Sequence, residues 1–319
     1  MEMSLQLKKI LISNAFFLIA EFLSEAIYLS VDPYMRAYEH LRQLESVFNG
    51  SQIAKIIDSR SKQYPLDTYV IGDFGWRSLT TGEEEAKDPE LSIRILPDFA
   101  KLPLSLRLGV LGMPGSTAYF GFLEICEPKA GETVVVSGAA GAVGNHVGQI
   151  AKIKGCTVIG IAGDDEKGKW LVDELGFDHF INYKKPYLAK TLAQYAPSGV
   201  DCYFDNVGGE ISSTVLSQMN LFGRVSVCGS ISSYNADYSH LPKATITQGF
   251  IVMKQLKIEG FVVHRWDNRQ NEAFQQNLQW INEGKLKYKE TVTEGFENIF
   301  KAFISMLQGG NIGKAIIKV

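Results

Sequence analysis

The residues of this chain whose types and spacing could do chemistry lie in one stretch, Thr133 to Gly155, TVVVSGAAGAVGNHVGQIAKIKG. Thr133, Val134, Val135 and Val136 are a β-favouring apolar run that reads as a buried strand. Ser137 to Gly144 is built almost wholly from Gly and Ala. Val147, Ile150, Ala151 and Ile153 then follow a helical pattern that Gly155 closes. Strand, glycine turn and helix form the setting of a dinucleotide fingerprint. Gly141 and Gly144 let the backbone approach a pyrophosphate and let the helix pack closely, while the helix N-terminus offers N–H groups and a positive dipole end. Where G-x-G-x-x-G has its first glycine, this chain has Ala139. A plain glycine turn before a buried helix is the competing reading; a second βα unit downstream favours the nucleotide.

The end of that second strand bears on which nucleotide. TVIGIAG closes with Ala162 and Gly163, small residues that leave room for a ribose 2′-phosphate, and Lys167 follows to neutralise it. Asp164 and Asp165 could instead bind a 2′-hydroxyl, or cap the helix that starts near Glu166. Capping is favoured, so NADP(H) is expected over NAD(H).

The elements that must position these residues sit in an ordinary globular composition: 319 residues, 45% hydrophobic, 21% charged, net charge −3. That length allows two domains. That charge gives no reason to expect nucleic acid or an anionic membrane as partner. Cys126, Cys156, Cys202 and Cys228 form no C-x-x-C pair and read as reduced thiols of a cytoplasmic protein. His40, His146, His179, His240 and His264 are scattered and read as surface or packing residues, so no metal site is expected. Lys8 and Lys9 before ILISNAFFLIAEFL outline a short signal peptide, but no clean cleavage site follows and the run is too short to span a membrane.

Residues up to about 112 read as mostly β, with strands at Glu25 to Val31, Gln52 to Ile57 and Thr68 to Ile71, and Ser78 to Lys101 as a polar loop. Asp32-Pro33 ends the first strand. Leu104, Leu106, Leu108 and Leu111 make a helical face broken at Gly112 and Pro114. From Gly131, strands at 133–137, 157–162, 179–182, 200–205, 224–229 and 256–263 alternate with helices at 142–154, 165–175, 187–195, 210–221 and 271–283. This alternation predicts an α/β fold with a Rossmann doubly wound parallel sheet.

Several segments together are similar to the zinc-independent branch of the medium-chain dehydrogenase/reductases, most closely its prostaglandin reductase group. They are SVDPYMR (Ser30 to Arg36), GMPGSTAYFGFLEIC (Gly112 to Cys126), the glycine stretch, FDNVGGE (Phe204 to Glu210), GFVVHRW (Gly260 to Trp266) and the closing EGFENIFKAFISMLQGGNIGKAIIKV. The resemblance implies a GroES-like β substrate domain over 1–112, a Rossmann NADP-binding domain over 113–283, and a return to the substrate domain over 284–319. It implies a monomer or homodimer that reduces the double bond of lipid-like α,β-unsaturated ketones or aldehydes, such as 15-oxo-prostaglandins. A quinone reductase, or a cofactor-binding relative with weakened catalysis, is the alternative.

Carried over by position, Gly141, Ala142, Val143, Gly144 and Asn145 would cradle the pyrophosphate, and Lys167 and Tyr183 the 2′-phosphate. Asn206, the run Cys228, Gly229, Ser230, Ile231, Ser232, Ser233 and Tyr234, then Phe261, Val262, Val263 and Asn311 would line the adenosine and nicotinamide. The family places a catalytic tyrosine where this chain has Met253, which donates no useful hydrogen bond. Tyr34, Tyr234 or a cofactor ribose hydroxyl would take over. Family members also carry a leading β segment that Met1 to Ala20 does not match, so a truncated or mis-spliced start is expected.

Overall fold

In the computed structural model the described residues are 21–39, 43, 46–82, 93–97, 102–236, 245 and 247–319. The expectations for Met1 to Ala20, and for His40 and His240, lie outside them. The chain divides into two units, one of Met1–Leu108, Val292–Ile304 and Ala315–Val319, the other of Gly109–Thr291 and Ser305–Lys314. Residues 284–291 and 305–314 therefore belong with the nucleotide-binding fold rather than returning to the first unit.

The first unit is built on an antiparallel sheet. Its first five strands are β1 (Phe22–Val31), β2 (Gln52–Ser59), β3 (Tyr69–Gly72), β4 (Leu79–Gly82) and β5 (Arg94–Ile95), and two from the C-terminal end of the chain join them. Both β4 and β5 fall inside the stretch expected to be a loop. β4 pairs with β1 through Phe22↔Gly82, where a Cβ on Gly82 would lie 2.2 Å from the Phe22 ring. Neighbouring residues of β2 and β3 point to opposite faces, and both faces are buried. Ala54, Ile56 and Val70 pack with Phe22 and Phe74, whereas Ile53 and Ile71 pack with Leu108 and Ile316. Pro33 stops β1 and caps a short helix, α1 (Tyr34–Ala37).

The second unit opens with α2 (Met113–Leu123), in whose first turn Pro114 sits. Proline there starts the helix rather than breaking it, because the first turn needs no N–H from it. Six parallel strands follow: β6 (Thr133–Ser137), β7 (Thr157–Ala162), β8 (His179–Asn182), β9 (Val200–Asp205), β10 (Met219–Val227) and β11 (Lys257–Gly260). Their spatial order is β11-β10-β9-β6-β7-β8. The order reverses between β6 and β9, and the crevice beyond the strand ends at such a switch point is where open α/β sheets bind ligands.

Connecting helices are α3 (Gly144–Ile153), α4 (Asp165–Lys169), α5 (Leu188–Tyr195), α6 (Gly209–Ser217), α7 (Gln248–Lys254) and α8 (Gln270–Asn282). α4 runs into a π turn at Trp170–Glu174. α7 had no counterpart in the sequence reading, and β11 is shorter than the expected 256–263. Strand β12 (Glu290–Glu294), helix α9 (Ile299–Leu307) and strand β13 (Lys314–Lys318) complete the chain, and β13 pairs with β1. Among the described residues no helix is long and apolar enough to cross a membrane.

Candidate cofactor site

Gly138 turns the chain off β6 with φ +58°, a left-handed backbone that glycine adopts without a Cβ penalty. The tight turn is thus made one residue before the fingerprint position, and Ala139 is accommodated there. Its methyl is fully buried, and a Cβ on Gly160 would lie 3.1 Å from it. At Gly144 a Cβ would lie 2.4 Å from the Gly138 carbonyl oxygen and 2.8 Å from Ala139 Cα, so α3 approaches the turn this closely only with glycine. At Gly141 an added Cβ would meet only the Gly138 oxygen, at 3.2 Å, which leaves the turn open on its other side. Among the described residues the N–H groups of Ala142 and Val143 have no backbone acceptor. With the N-terminus of α3 they form an anion-facing edge. Asn145 is buried and turned back on this loop: Nδ2 donates to the Gly141 oxygen at 2.6 Å and to the Ala142 oxygen at 3.3 Å. Its side chain fixes the turn rather than facing outward.

At the end of β7, Asp164 caps α4, its Oδ1 accepting from the N–H of Glu166 at 2.7 Å and of Lys167 at 3.4 Å. Asp165 accepts from Asn182 Nδ2 at 2.8 Å and from Lys185 Nζ at 2.7 Å. Asp164 is engaged by its own turn and Asp165 by residues at the end of β8 and just after it. A Cβ on Gly163 would come within 2.9 Å of the Tyr183 ring, so the ring covers the small residue that ends the strand. Lys167 Nζ donates to the Gly309 carbonyl at 2.6 Å. Burial lowers its pKa, and Lys184 adds to this against the opposing charge of Asp164. A partly buried ammonium beside a second lysine gains from an incoming dianion, so the residues present fit a 2′-phosphate.

At the ends of β6 and β9 the buried carboxylate of Asp205 organises the loops. Its Oδ1 accepts from Ser137 Oγ at 2.9 Å, Tyr203 Oη at 2.8 Å, Val207 N at 3.0 Å and Gly208 N at 2.9 Å. The Asp205 carbonyl takes the N–H groups of Cys228 and Gly229. Asn206 gives its backbone N–H to Ser137 Oγ and its Nδ2 to the Ser137 carbonyl, at 2.9 and 2.7 Å. Its carbonyl accepts from Ile231 N. Ser232 and Ser233 donate their hydroxyls to the Val207 and Ser230 carbonyls. Burial, then the nearby Asp205 charge, push the Cys228 thiol up to about 12, so it stays neutral. Tyr234 folds back over Gly229, its Oη accepting the Ser230 N–H at 3.3 Å.

The remaining expected residues are placed differently. The half-buried Phe261 ring is packed against Gly121, Phe204 and Trp266, while Val262 is exposed and Val263 starts a 3₁₀ turn. Asn311 Nδ2 is held by the Gly313 carbonyl at 2.8 Å. Met253 lies on α7 and is 75% exposed. Tyr34 begins α1 in the other unit. Sequence reasoning missed Gly138, Asp205 and Gly309. Gly138 and Asp205 had a signal in the glycine run and in FDNVGGE; Gly309 had none.

Over 302 residues, 93% of this chain and 89% of the relative, the chain is 48% identical to prostaglandin reductase 1 of Bos taurus. The chain belongs to the medium-chain dehydrogenase/reductase family. Two family models match it, one described as zinc-binding dehydrogenase over residues 142–283, the other as the N-terminal domain of oxidoreductase over residues 18–88. Within this family it is also 37% identical to the NADPH-dependent curcumin reductase of Escherichia coli, over 93% of this chain and 87% of that one. The crystal structure of CurA from Vibrio vulnificus in complex with NADPH superposes with a TM-score of 0.85 at 36% identity, covering 94% of this chain and 90% of the other. The chain is accordingly an oxidoreductase with the Rossmann and β-unit architecture of its family. Among the described residues no group of three or more His, Cys, Asp or Glu is placed to hold a metal, although the first model is named for zinc.

Proposed function

We propose that the chain is an NADPH-dependent reductase of carbon–carbon double bonds conjugated to a ketone or aldehyde, acting on 15-oxo-prostaglandins and lipid-derived alkenals. The observation that carries the cofactor choice is the division of labour after β7. Asp164 is spent on capping α4 while Lys167 presents a partly buried ammonium. The prostaglandin reductase and curcumin reductase relatives support the substrate class.

Each part of the site has a role that its geometry suits. The N–H groups of Ala142 and Val143 and the α3 N-terminus hold the pyrophosphate; Lys167 and Tyr183 hold the 2′-phosphate. Ser137, Asp205 and Asn206 keep the loops after β6 and β9 in place. When bound, the nicotinamide supplies the hydride that the β-carbon of the enone takes. Tyr234, whose Oη accepts from Ser230 N–H, stabilises the developing enolate oxygen as a hydrogen-bond donor. We favour it over Tyr34 because it shares a unit with the other cofactor residues. The four unpaired thiols suit a reducing, cytoplasmic setting.

The test is NADPH consumption with a 15-oxo-prostaglandin or nonenal as acceptor, a quinone in parallel, and NADH as control. Turnover on the enones with a marked preference for NADPH is expected. Turnover on the quinone alone would replace this reading with the quinone reductase one.

A further inference from the structure

The turn after α9, Gly309 to Gly313, touches both phosphate-facing parts of the second unit. The Gly309 carbonyl holds the Lys167 ammonium at 2.6 Å. Gly313 N–H donates to the Ala140 carbonyl at 2.8 Å, and Gly313 forms a parallel bridge with Gly141 of the glycine turn. The form of this strap is fixed from within. Gly309 and Gly313 have φ +79° and +68°, and Gly310 N–H donates to the Ser305 carbonyl. Thr291 Oγ1 both donates to the Ile312 carbonyl and accepts from the Ile312 N–H.

We propose that this strap is a positioning element for 2′-phosphate recognition: the Gly309 carbonyl holds the Lys167 ammonium ready, and the phosphate in turn tightens the strap. The inference rests on the reading of Lys167 as the 2′-phosphate partner. An ammonium has three donors, so one carbonyl leaves two for an anion. A lysine held beforehand loses less rotamer freedom when the ligand arrives. A phosphate on the two remaining donors holds the ammonium from the other side, so less of its motion is left to break the bond to the Gly309 carbonyl. Coupling of this kind acts equally in both directions. If the ammonium were only a C-terminal cap of α9, the phosphate would compete for it and loosen the strap.

NADPH and NADH differ only by this phosphate and serve as the two probes, with the full chain and no enone. Binding is read by calorimetry, and hydrogen exchange is followed over residues 305–314. NADPH is expected to bind at least tenfold tighter than NADH and to slow exchange of the strap at least tenfold more at saturation. Lys167→Met should remove the preference and the extra protection together. Gly309→Val, a β-branched residue where φ is +79°, should cut the preference below threefold while NADH affinity stays within twofold. A purely structural loss would lower both affinities alike. If NADPH is preferred through Lys167 but strap exchange is unchanged or faster, the strap proposal is overturned and the 2′-phosphate reading stands. No preference for NADPH, with Lys167→Met silent, overturns both. Should Gly309→Val fail to fold, the exchange comparison on the unaltered protein decides.

Discussion

Gly141→Ala separates binding from folding more cleanly than any other change to the glycine turn. The new methyl would meet one atom, the Gly138 carbonyl oxygen, at 3.2 Å, so a shift of a few tenths of an ångström relieves it. Stability should change by less than about 1 kcal/mol. Residue 141 does, however, immediately precede Ala142 and Val143, whose N–H groups are proposed to face the phosphate. Displacing a phosphate outward by about 1 Å stretches two charge-assisted hydrogen bonds beyond useful length. Losing most of two such bonds costs about 3 kcal/mol, which is on the order of a hundredfold in Kd. Gly144→Ala is the contrasting variant: its Cβ would fall 2.4 Å and 2.8 Å from backbone atoms that cannot swing away. There the overpacking itself should cost about 1–3 kcal/mol and lower the melting temperature by several degrees. NADPH titration by protein fluorescence, paired with thermal melts, reads both quantities. A Gly141→Ala protein that binds NADPH within twofold of the unaltered chain would refute a pyrophosphate at this turn.

Asp205→Ala leaves the donors of Ser137, Tyr203, Val207 and Gly208 without their shared acceptor. It should cost about 3–5 kcal/mol in denaturant unfolding, and a loss under about 1 kcal/mol would contradict the organising role given to it. His146 is buried on α3, its Nδ1 unpaired, and burial lowers its pKa to about 3. Above the ordinary histidine pKa both states are neutral and it contributes no slope. As pH falls from about 6.5 toward 3 the unfolded chain takes up a proton that the folded chain refuses, and stability drops by about 1.4 kcal/mol per pH unit. His146→Val should flatten stability between about pH 6 and 4, and parallel curves for the two proteins would show that His146 titrates normally. Tyr234→Phe should lower kcat on an enone about a hundredfold with little change in KM, as expected for a lost oxyanion donor. Met253→Tyr, at an exposed position, should leave both melting temperature and kcat nearly unchanged; a rise in kcat of about tenfold would move the donor role to residue 253.

The nucleotide-binding unit was legible because its central strands β6, β7 and β9 are covered on both faces. Parallel strands between helices read as unbroken apolar runs such as Val134 to Val136, and each run ends in a turn rich in Gly or Asn. The β unit was less so. β4 is Leu-Thr-Thr-Gly and β5 only Arg94–Ile95, and what makes them strands is pairing with β1 and β3 rather than any pattern of their own. α7 escaped for a related reason. Val252 and Met253 are exposed on it, so its apolar residues form no buried stripe that a helical period could reveal.

At the site itself, the fingerprint was read with its first glycine one residue too late. Spacing alone assigned the tight turn to position 139, while the backbone assigns it to Gly138, whose φ is +58°. The difference follows from what each position must do: 138 needs a left-handed backbone, whereas 139 needs only a side chain small enough to lie over Gly160. The capping of α4 by Asp164 could be read directly, because acceptor and donors are two and three residues apart. The bond from Lys167 to Gly309 spans 142 residues and leaves no trace in local pattern. Its two ends are brought together only because residues 305–314 pack with the nucleotide-binding fold before the chain enters β13. If Lys167 and the strap act as proposed, cofactor choice in this chain is written partly in the residues after β7 and partly in a turn near the C-terminus. An exchange of the β7–α4 segment alone into an NADH-dependent relative should carry over less than the full preference for NADPH, and the shortfall should be recovered when residues 305–314 are exchanged with it.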